Sequence, residues 1–273
     1  MYYNYVILNT MNENYYQNTI TIRMPSIMTN LISAEVAKRN FFNKDGQINV
    51  NEFLNKMLPN MLAYREYKKI SLRDFLDKKI KACISERMQE KILDFLSESF
   101  DYLYFDEGEY ACNDVINLRF NVSNEKVYSN LFIRLDKISI KRSTYIRNLI
   151  NEYLNLSEHQ KERICFDEEY IALANAMNDG SYVQFLNKGV PITAVPFALE
   201  YSVKQEHWYL LYLNETNLDA LYSTRLYNIS KVLCLRESEL SIPKELIEKI
   251  NGIIERGEYA ESNKINFGDV DYA

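Results

Sequence analysis

One pattern that occurs twice constrains this chain more than any other feature. Residues 19–24, TITIRM, alternate strictly, with Ile20, Ile22 and Met24 on one side and Thr21 and Arg23 on the other. Residues 115–122, VINLRFNV, repeat the pattern, with Ile116, Leu118, Phe120 and Val122 set against Asn117 and Arg119. Period-two alternation of this length predicts a half-buried strand. Apolar residues three and four apart follow each strand: Met28, Leu31, Ile32 and Val36 in the first copy, Val127, Leu131, Phe132 and Leu135 in the second. That spacing is helical. A second helix follows a turn in both, carrying Phe53, Leu54, Met57 and Leu58 in one and Tyr145, Ile146, Leu149, Ile150 and Tyr153 in the other. Both copies therefore read strand, helix, turn, helix, and a repeat of this kind decides the fold.

A lone half-apolar strand leaves its backbone groups unpaired, so the two must pair. Antiparallel pairing within one chain is the preferred arrangement, and pairing between protomers of a swapped dimer is the alternative. The order of elements resembles the ribbon-helix-helix DNA-binding family, most closely at Arg142–Leu154, RSTYIRNLINEYL. The resemblance implies a two-stranded ribbon that enters a groove of nucleic acid. Alternation then turns Thr21, Arg23, Asn117 and Arg119 outward, residues suited to base edges and phosphates. The same face reads equally as an ordinary solvated sheet surface. The starts of the second helices, at Asn49–Asn51 and at Arg142–Thr144, offer free N–H groups to a phosphate, with Lys141 and Arg142 beside the second.

Between the copies, residues 71–104 read as two helices, the first with Leu72, Phe75, Leu76, Ile80 and Ile84 on one stripe. Its lysines and arginines form either a solvated face or a binding patch. NKDGQINVNEF lacks the acids of a calcium loop, Asp45 being the one acid before Glu52.

The net charge of −6 argues against tight, nonspecific duplex binding, but charge is uneven along the chain. Residues 65–91 carry nine Lys and Arg against five acids, whereas 94–114 carry acids and no Lys or Arg. The four cysteines, Cys83, Cys112, Cys165 and Cys234, form no CxxC pair, and the two histidines lie at 159 and 207. Reduced thiols, no metal, no cofactor, no membrane span and a cytoplasmic location are expected. Seven glycines and no Gly-rich loop leave no place for a nucleotide-binding fold. Coding bias accounts for much of the count of 22 tyrosines; the remainder offers stacking surfaces for bases.

Residues 167–236 run helix, YVQFL, ITAVPFALEYSV, HWYLLYLNE and STRLYNISKVLCL. His207-Trp208-Tyr209-Leu210 contains the tripeptide of the WYL domain, and Arg225, Leu226 and Ile229 match that family's later arginine-bearing strand. Tyr227 and Asn228 depart from it, where the family usually has an acid and a base. The resemblance implies an SH3-like or Sm-like barrel that binds single-stranded nucleic acid or a nucleotide, with Arg225, Tyr209, His207 and Lys204 as ligand contacts. Read from the residues alone, Trp208 fits a core position or a stacking platform. Arg225 fits a ligand anchor or a salt bridge to Glu200 or Glu206. Beyond Arg236 one amphipathic helix starts at Pro243, and a disordered tail is expected from about residue 260.

The reading is thus α+β: tandem ribbon-helix-helix-like units followed by an SH3/Sm-like WYL β-barrel. Its divisions are 1–64, a connector at 65–110, a second unit at 111–165, the WYL domain at 166–238 and a helix with tail at 239–273. No nucleophile elbow, metal-binding helix or phosphate loop is present, so no catalysis is expected. The combination resembles the WYL-domain accessory proteins of type VI-D CRISPR systems. That resemblance implies binding of single-stranded RNA (or DNA) and stimulation of the type VI-D RNA-guided effector nuclease, with homodimerisation left open. A WYL-type transcriptional regulator, binding DNA through the ribbon-helix-helix units, is the alternative.

Overall fold

Each alternating segment has one apolar face and two bare edges, and each supplies what the other lacks. In the computed structural model, which describes residues 19–80, 87, 88, 91, 92, 95, 112–214, 217–237 and 242–268, strand β1 (Thr19–Met24) pairs antiparallel with β2 (Asp114–Arg119) of the same chain. Thr21 stands opposite Asn117 and Ile22 opposite Ile116. Ile20, Ile22, Met24 and Leu118 are buried, and Thr21, Arg23, Asn117 and Arg119 are exposed. The second strand is shorter than its alternation suggests: Phe120 is buried beyond its end, and Val122 opens a short 3-10 turn, 82% exposed. Directly opposed residues have Cβ atoms about 4.5–5.5 Å apart. Thr21→Cys with Asn117→Cys should therefore form an intrachain disulfide on mild oxidation. A non-reducing gel showing only interchain product would reject this register in solution.

The chain divides into two compact units, residues 1–34 with 49–151 and residues 35–48 with 152–273. In the first, helices α1 (Ser26–Lys38) and α2 (Val50–Ile80) follow β1, and α3 (Glu125–Lys137) and α4 (Arg142–Leu154) follow β2. The second helices bury equivalent positions, Phe53, Leu54, Met57 and Leu58 in α2 and Tyr145, Ile146, Leu149 and Ile150 in α4. The first helices are rotated from the expected stripes. Leu31 and Val127 are exposed; Met28, Ile32 and Val36 in α1 and Tyr128, Leu131, Phe132 and Leu135 in α3 face inward.

Helix α2 runs unbroken through Pro59 and past residue 64, where the sequence suggested a separate helix after 71. Proline at 59 frees the carbonyl of Asn55, four residues earlier. That carbonyl accepts a hydrogen bond from Asn124 Nδ2 at 2.7 Å. Asn55, itself buried, also donates to the Arg119 carbonyl at 2.7 Å and accepts from Asn121 N–H at 2.8 Å. Asn51 accepts the Arg119 N–H at 2.8 Å. These amides continue the hydrogen bonding of β2 where its strand partner ends. The second helix expected in 71–104 lies mostly outside the described residues.

The second unit holds α5 (Glu158–Cys165), α6 (Asp167–Asn178), and strands β3 (Ser181–Asn187), β4 (Val190–Ser202), β5 (His207–Asn214), β6 (Asn217–Arg225) and β7 (Ile229–Glu237). Helix α7 (Lys244–Arg256) and strand β8 (Lys264–Asn266) complete it. The sheet is antiparallel in the order β7-β3-β4-β5-β6-β8. Lys188 and Gly189 turn β3 into β4 with both φ angles positive, the two-residue hairpin turn whose twist matches the strands. Pro196, which has no N–H for the ladder, sits at a register shift in the long strand β4.

STRLYNISKVLCL is two strands, not one. A 3-10 turn at Leu226–Asn228 separates β6 from β7, which returns to pair with β3. The expected disordered tail is also corrected, since β8 adds to β6 and Phe267 is buried. Helix α7 packs Ile250 and Ile253 against Tyr209, Leu211, Leu213 and Leu221, with Tyr259 and Phe267 closing the cluster. Among the described residues, no helix is long and apolar enough to cross a membrane.

Candidate functional site

Arg225 is the last residue of β6 and stands opposite Tyr209 of β5. The 3-10 turn that follows brings Tyr227 back beside it. Arg225 Nε donates to Tyr209 Oη at 3.1 Å and Nη1 donates to Tyr227 Oη at 2.8 Å. The guanidinium carbon lies 5.9 and 5.8 Å from the two ring centroids. Among the described residues no carboxylate pairs with Arg225. Of the acids considered from sequence, Glu206 is bound to Lys38 at 2.6 Å, and Glu200 sits opposite Tyr209 in the ladder. Partial burial pulls the Arg225 pKa down, but the two phenol hydrogen bonds outweigh it and the value is raised. The site is a half-buried cation held in a tyrosine fork, its charge unpaired among the described residues.

His207 lies two residues before Tyr209, on the same side of β5, and its ring meets Tyr227 edge-on at 5.1 Å. Tyr209 meets Tyr259, from the turn after α7, at 5.5 Å. Lys204 is exposed and ion-paired to Glu261 at 2.8 Å, so its charge is shared with a carboxylate. The structure thus brings Arg225, Tyr209 and His207 together and adds Tyr227 and Tyr259. Tyr227 is one of the two positions where the sequence departs from the WYL pattern, and that departure was the available signal. Tyr222, three residues before Arg225, stacks on Tyr212 instead.

Behind His207 lies a buried group of charges that sequence reading missed. Arg39, 1% exposed, reaches Glu158 at 2.9 Å and Glu35 and Glu162 at 3.5 Å each. Glu162 is fully buried; its Oε2 accepts the Trp208 N–H at 3.0 Å and lies 3.3 Å from His207 Nδ1. Lys161 joins Glu35 and Glu158, and Tyr153 Oη contacts Glu35 and Cys165. Burial pushes the Tyr153 phenol well above its ordinary value. Burial also pushes Glu158 upward, but hydrogen bonds from Lys38 and Lys161 and the Arg39 charge hold it at about 2.

A carboxylate depressed in this way contributes stability above its ordinary pKa near 4.5, and that contribution is lost as pH falls towards about 2. Acid titration of unfolding should show a loss of stability across this window, and Glu158→Gln should flatten it. An unchanged acid limb in Glu158→Gln would mean that Glu158 is solvated.

Trp208 takes neither of its expected forms fully. It is half-buried, its indole N–H donates to the His159 carbonyl at 3.0 Å, and Tyr170 and Tyr201 flank it at 5.2 and 5.6 Å.

On the ribbon of the first unit, Thr21 donates to Asn117 Oδ1 at 2.9 Å, in the pair between Thr19–Arg119 and Arg23–Val115. Arg23 and Arg119 therefore flank a polar centre on one exposed face. The helix starts are less available than their sequences suggested. Asn49 accepts the Glu52 N–H at 3.1 Å and donates to the Glu52 carboxylate at 2.8 Å, so this end carries its own acid. Arg142 is bidentate to Asp136 at 3.1 and 2.5 Å and lies over the Phe132 ring. Lys141 is exposed.

Neither a protein-family model nor a curated protein sequence matches this chain. The fold, however, has a solved counterpart. A crystal structure of a CRISPR Cas-related protein superposes with a TM-score of 0.63, at 13% identity, over 90% of this chain and 73% of that one. At that identity the likeness establishes a shared fold.

Proposed function

We propose that this chain is a non-catalytic accessory protein of a CRISPR system, which binds single-stranded RNA and stimulates a type VI-D RNA-guided ribonuclease. The carrying observation is Arg225, a half-buried cation presented by two tyrosines with no described carboxylate to neutralise it. A buried-flank guanidinium of this kind suits an anionic ligand, and a phosphate between aromatic rings is a nucleotide's chemistry. The ring of Tyr227, which is half-buried, also offers a stacking face, of the kind that single strands use. The overall acidity disfavours duplex binding.

The two strand-helix-helix repeats joined by one ribbon support the ribbon-helix-helix reading. The order β7-β3-β4-β5-β6, with a 3-10 turn before β7, supports the Sm-like reading of the second unit. The solved CRISPR Cas-related counterpart supports the assignment to a CRISPR setting.

Binding of unstructured RNA and of duplex DNA at matched salt, and the cleavage rate of a type VI-D effector with and without the protein, test the proposal. Tighter binding to RNA and faster cleavage are expected. Tighter binding to a palindromic duplex, with no effect on the nuclease, would favour a transcriptional regulator reading through Arg23, Thr21, Asn117 and Arg119.

A further inference from the structure

Glu162 of α5 joins the buried charge group to the tyrosine fork. Its Oε2 lies 3.5 Å from Arg39 Nη1 and 3.3 Å from His207 Nδ1, and it accepts the Trp208 N–H at 3.0 Å. That bond to the main chain, one residue along β5, keeps the oxygen beside the ring. A carboxylate facing a guanidinium accepts hydrogen bonds and donates none, so the His207 nitrogen turned towards it carries a proton. Neutral imidazole has one N–H, which leaves Nε2 as an acceptor. Nε2 lies on the far side of the ring from Glu162. It has no hydrogen-bond partner among the described residues, and it is not sealed from solvent as Glu162 Oε1 is. The ring is otherwise nearly buried and meets Tyr227 edge-on. A ligand therefore meets His207 through one atom, not through a stacking face.

Phosphate oxygens are acceptors too, so an unprotonated Nε2 repels them and fits a donor. His207 is two residues from Tyr209, the ladder partner of Arg225, or about 7 Å along the strand. A nucleotide whose phosphate rests on Arg225 can bring its sugar that far. The donor on that sugar is the ribose 2′-hydroxyl, the group that separates RNA from DNA at a given site. We propose that Glu162 is a positioning residue that holds His207 as a hydrogen-bond acceptor, and that His207 Nε2 reads the 2′-hydroxyl of the nucleotide bound at Arg225. The inference rests on the nucleic-acid reading of the Arg225 site and adds to it a means of choosing RNA.

Three single-stranded uridine oligomers of equal length test this on the full chain: the ribose form, the 2′-deoxy form and the 2′-fluoro form. Fluorine removes the donor but keeps the sugar pucker of RNA. The wild-type protein should bind the ribose oligomer roughly three- to tenfold more tightly than either of the others, the worth of one hydrogen bond. His207→Asn keeps a donor in the place of Nδ1, so its bond to Glu162 survives, and has no counterpart of Nε2. It should bind all three oligomers alike. In the free 15N-labelled protein, NMR should find the His207 proton on Nδ1; with two histidines in the chain, His159→Gln assigns the signal. The NMR measurement and the 2′-fluoro comparison do not depend on His207→Asn folding. A 2′-fluoro oligomer that binds as tightly as ribose overturns the proposal, since pucker is then what is read. So does a His207→Asn variant that keeps the preference, or one that loses affinity for all three oligomers equally, as a phosphate contact would. A proton found on Nε2 rejects the role of Glu162. Failure to bind any of the three rejects the nucleic-acid reading itself, an outcome distinct from equal binding, and the inference falls with it.

Discussion

Arg39→Met should lower the stability of the protein by roughly 3–5 kcal/mol, the range for removing one partner of a buried charge group. The methionine fills comparable space, so the loss is electrostatic rather than a cavity effect. Arg39 touches Glu35, Glu158 and Glu162, and its side chain has no solvent exposure. Lys161 still reaches Glu35 and Glu158 in the variant. Glu162 has no such substitute: among the described residues its Oε2 keeps the Trp208 N–H and His207, and its Oε1 has no partner. In a chain of this size the melting temperature should fall on the order of ten degrees. Glu162→Gln in the Arg39→Met background should recover part of the loss, since it removes the stranded charge. A melting temperature within about a degree or two of wild type would mean that water reaches the cluster, which would then act as an exposed ion pair.

The ribbon was legible because one physical rule, alternation across a pleat, acts locally and repeats. Six residues at 19–24 and their counterparts at 115–119 gave direction and outward face, with pairing inside the chain preferred over a swapped dimer. The helical stripes were less legible, because Leu31 and Val127 fit an apolar period that Met28–Ile32–Val36 and Tyr128–Leu131–Phe132–Leu135 fit as well. Which rotation wins is decided by packing partners distant in sequence. The carbonyl that Pro59 frees in α2 is answered by Asn124, 69 residues from Asn55, and no local rule predicts a partner from so far away. The Arg39 cluster was hidden for a related reason. Glu35, Lys38 and Arg39, like Glu158, Lys161 and Glu162, look like solvated helix faces until two such faces are seen to share one interior. Arg225 was legible as an unusual cation in an apolar strand, with Tyr209 reachable by parity. That its second partner would be Tyr227 required the turn at Leu226–Asn228, which breaks the alternation the sequence implied.

Arg225→Ala should weaken binding of single-stranded RNA about ten- to a hundredfold, while the melting temperature stays near that of wild type. The size follows from losing one charge-assisted contact, about 1–3 kcal/mol. The stability expectation follows from what Arg225 touches in the free protein. Its two bonds go to phenol hydroxyls, which are neutral, so removing the guanidinium strands no buried charge. This is the opposite of Arg39, whose partners are buried carboxylates. Tyr227→Phe separates orientation from charge. It keeps the ring and the guanidinium but removes one of the two hydroxyls that hold the fork, so a smaller loss of affinity is expected with the salt dependence intact. Arg225→Ala should also reduce the steepness of the salt dependence, because one cation no longer displaces a counterion. If Arg225→Ala instead unfolds early, and binding per folded molecule is unchanged, Arg225 is a structural residue. The nucleic-acid surface would then belong to the ribbon, where Arg23→Ala and Arg119→Ala would carry the loss.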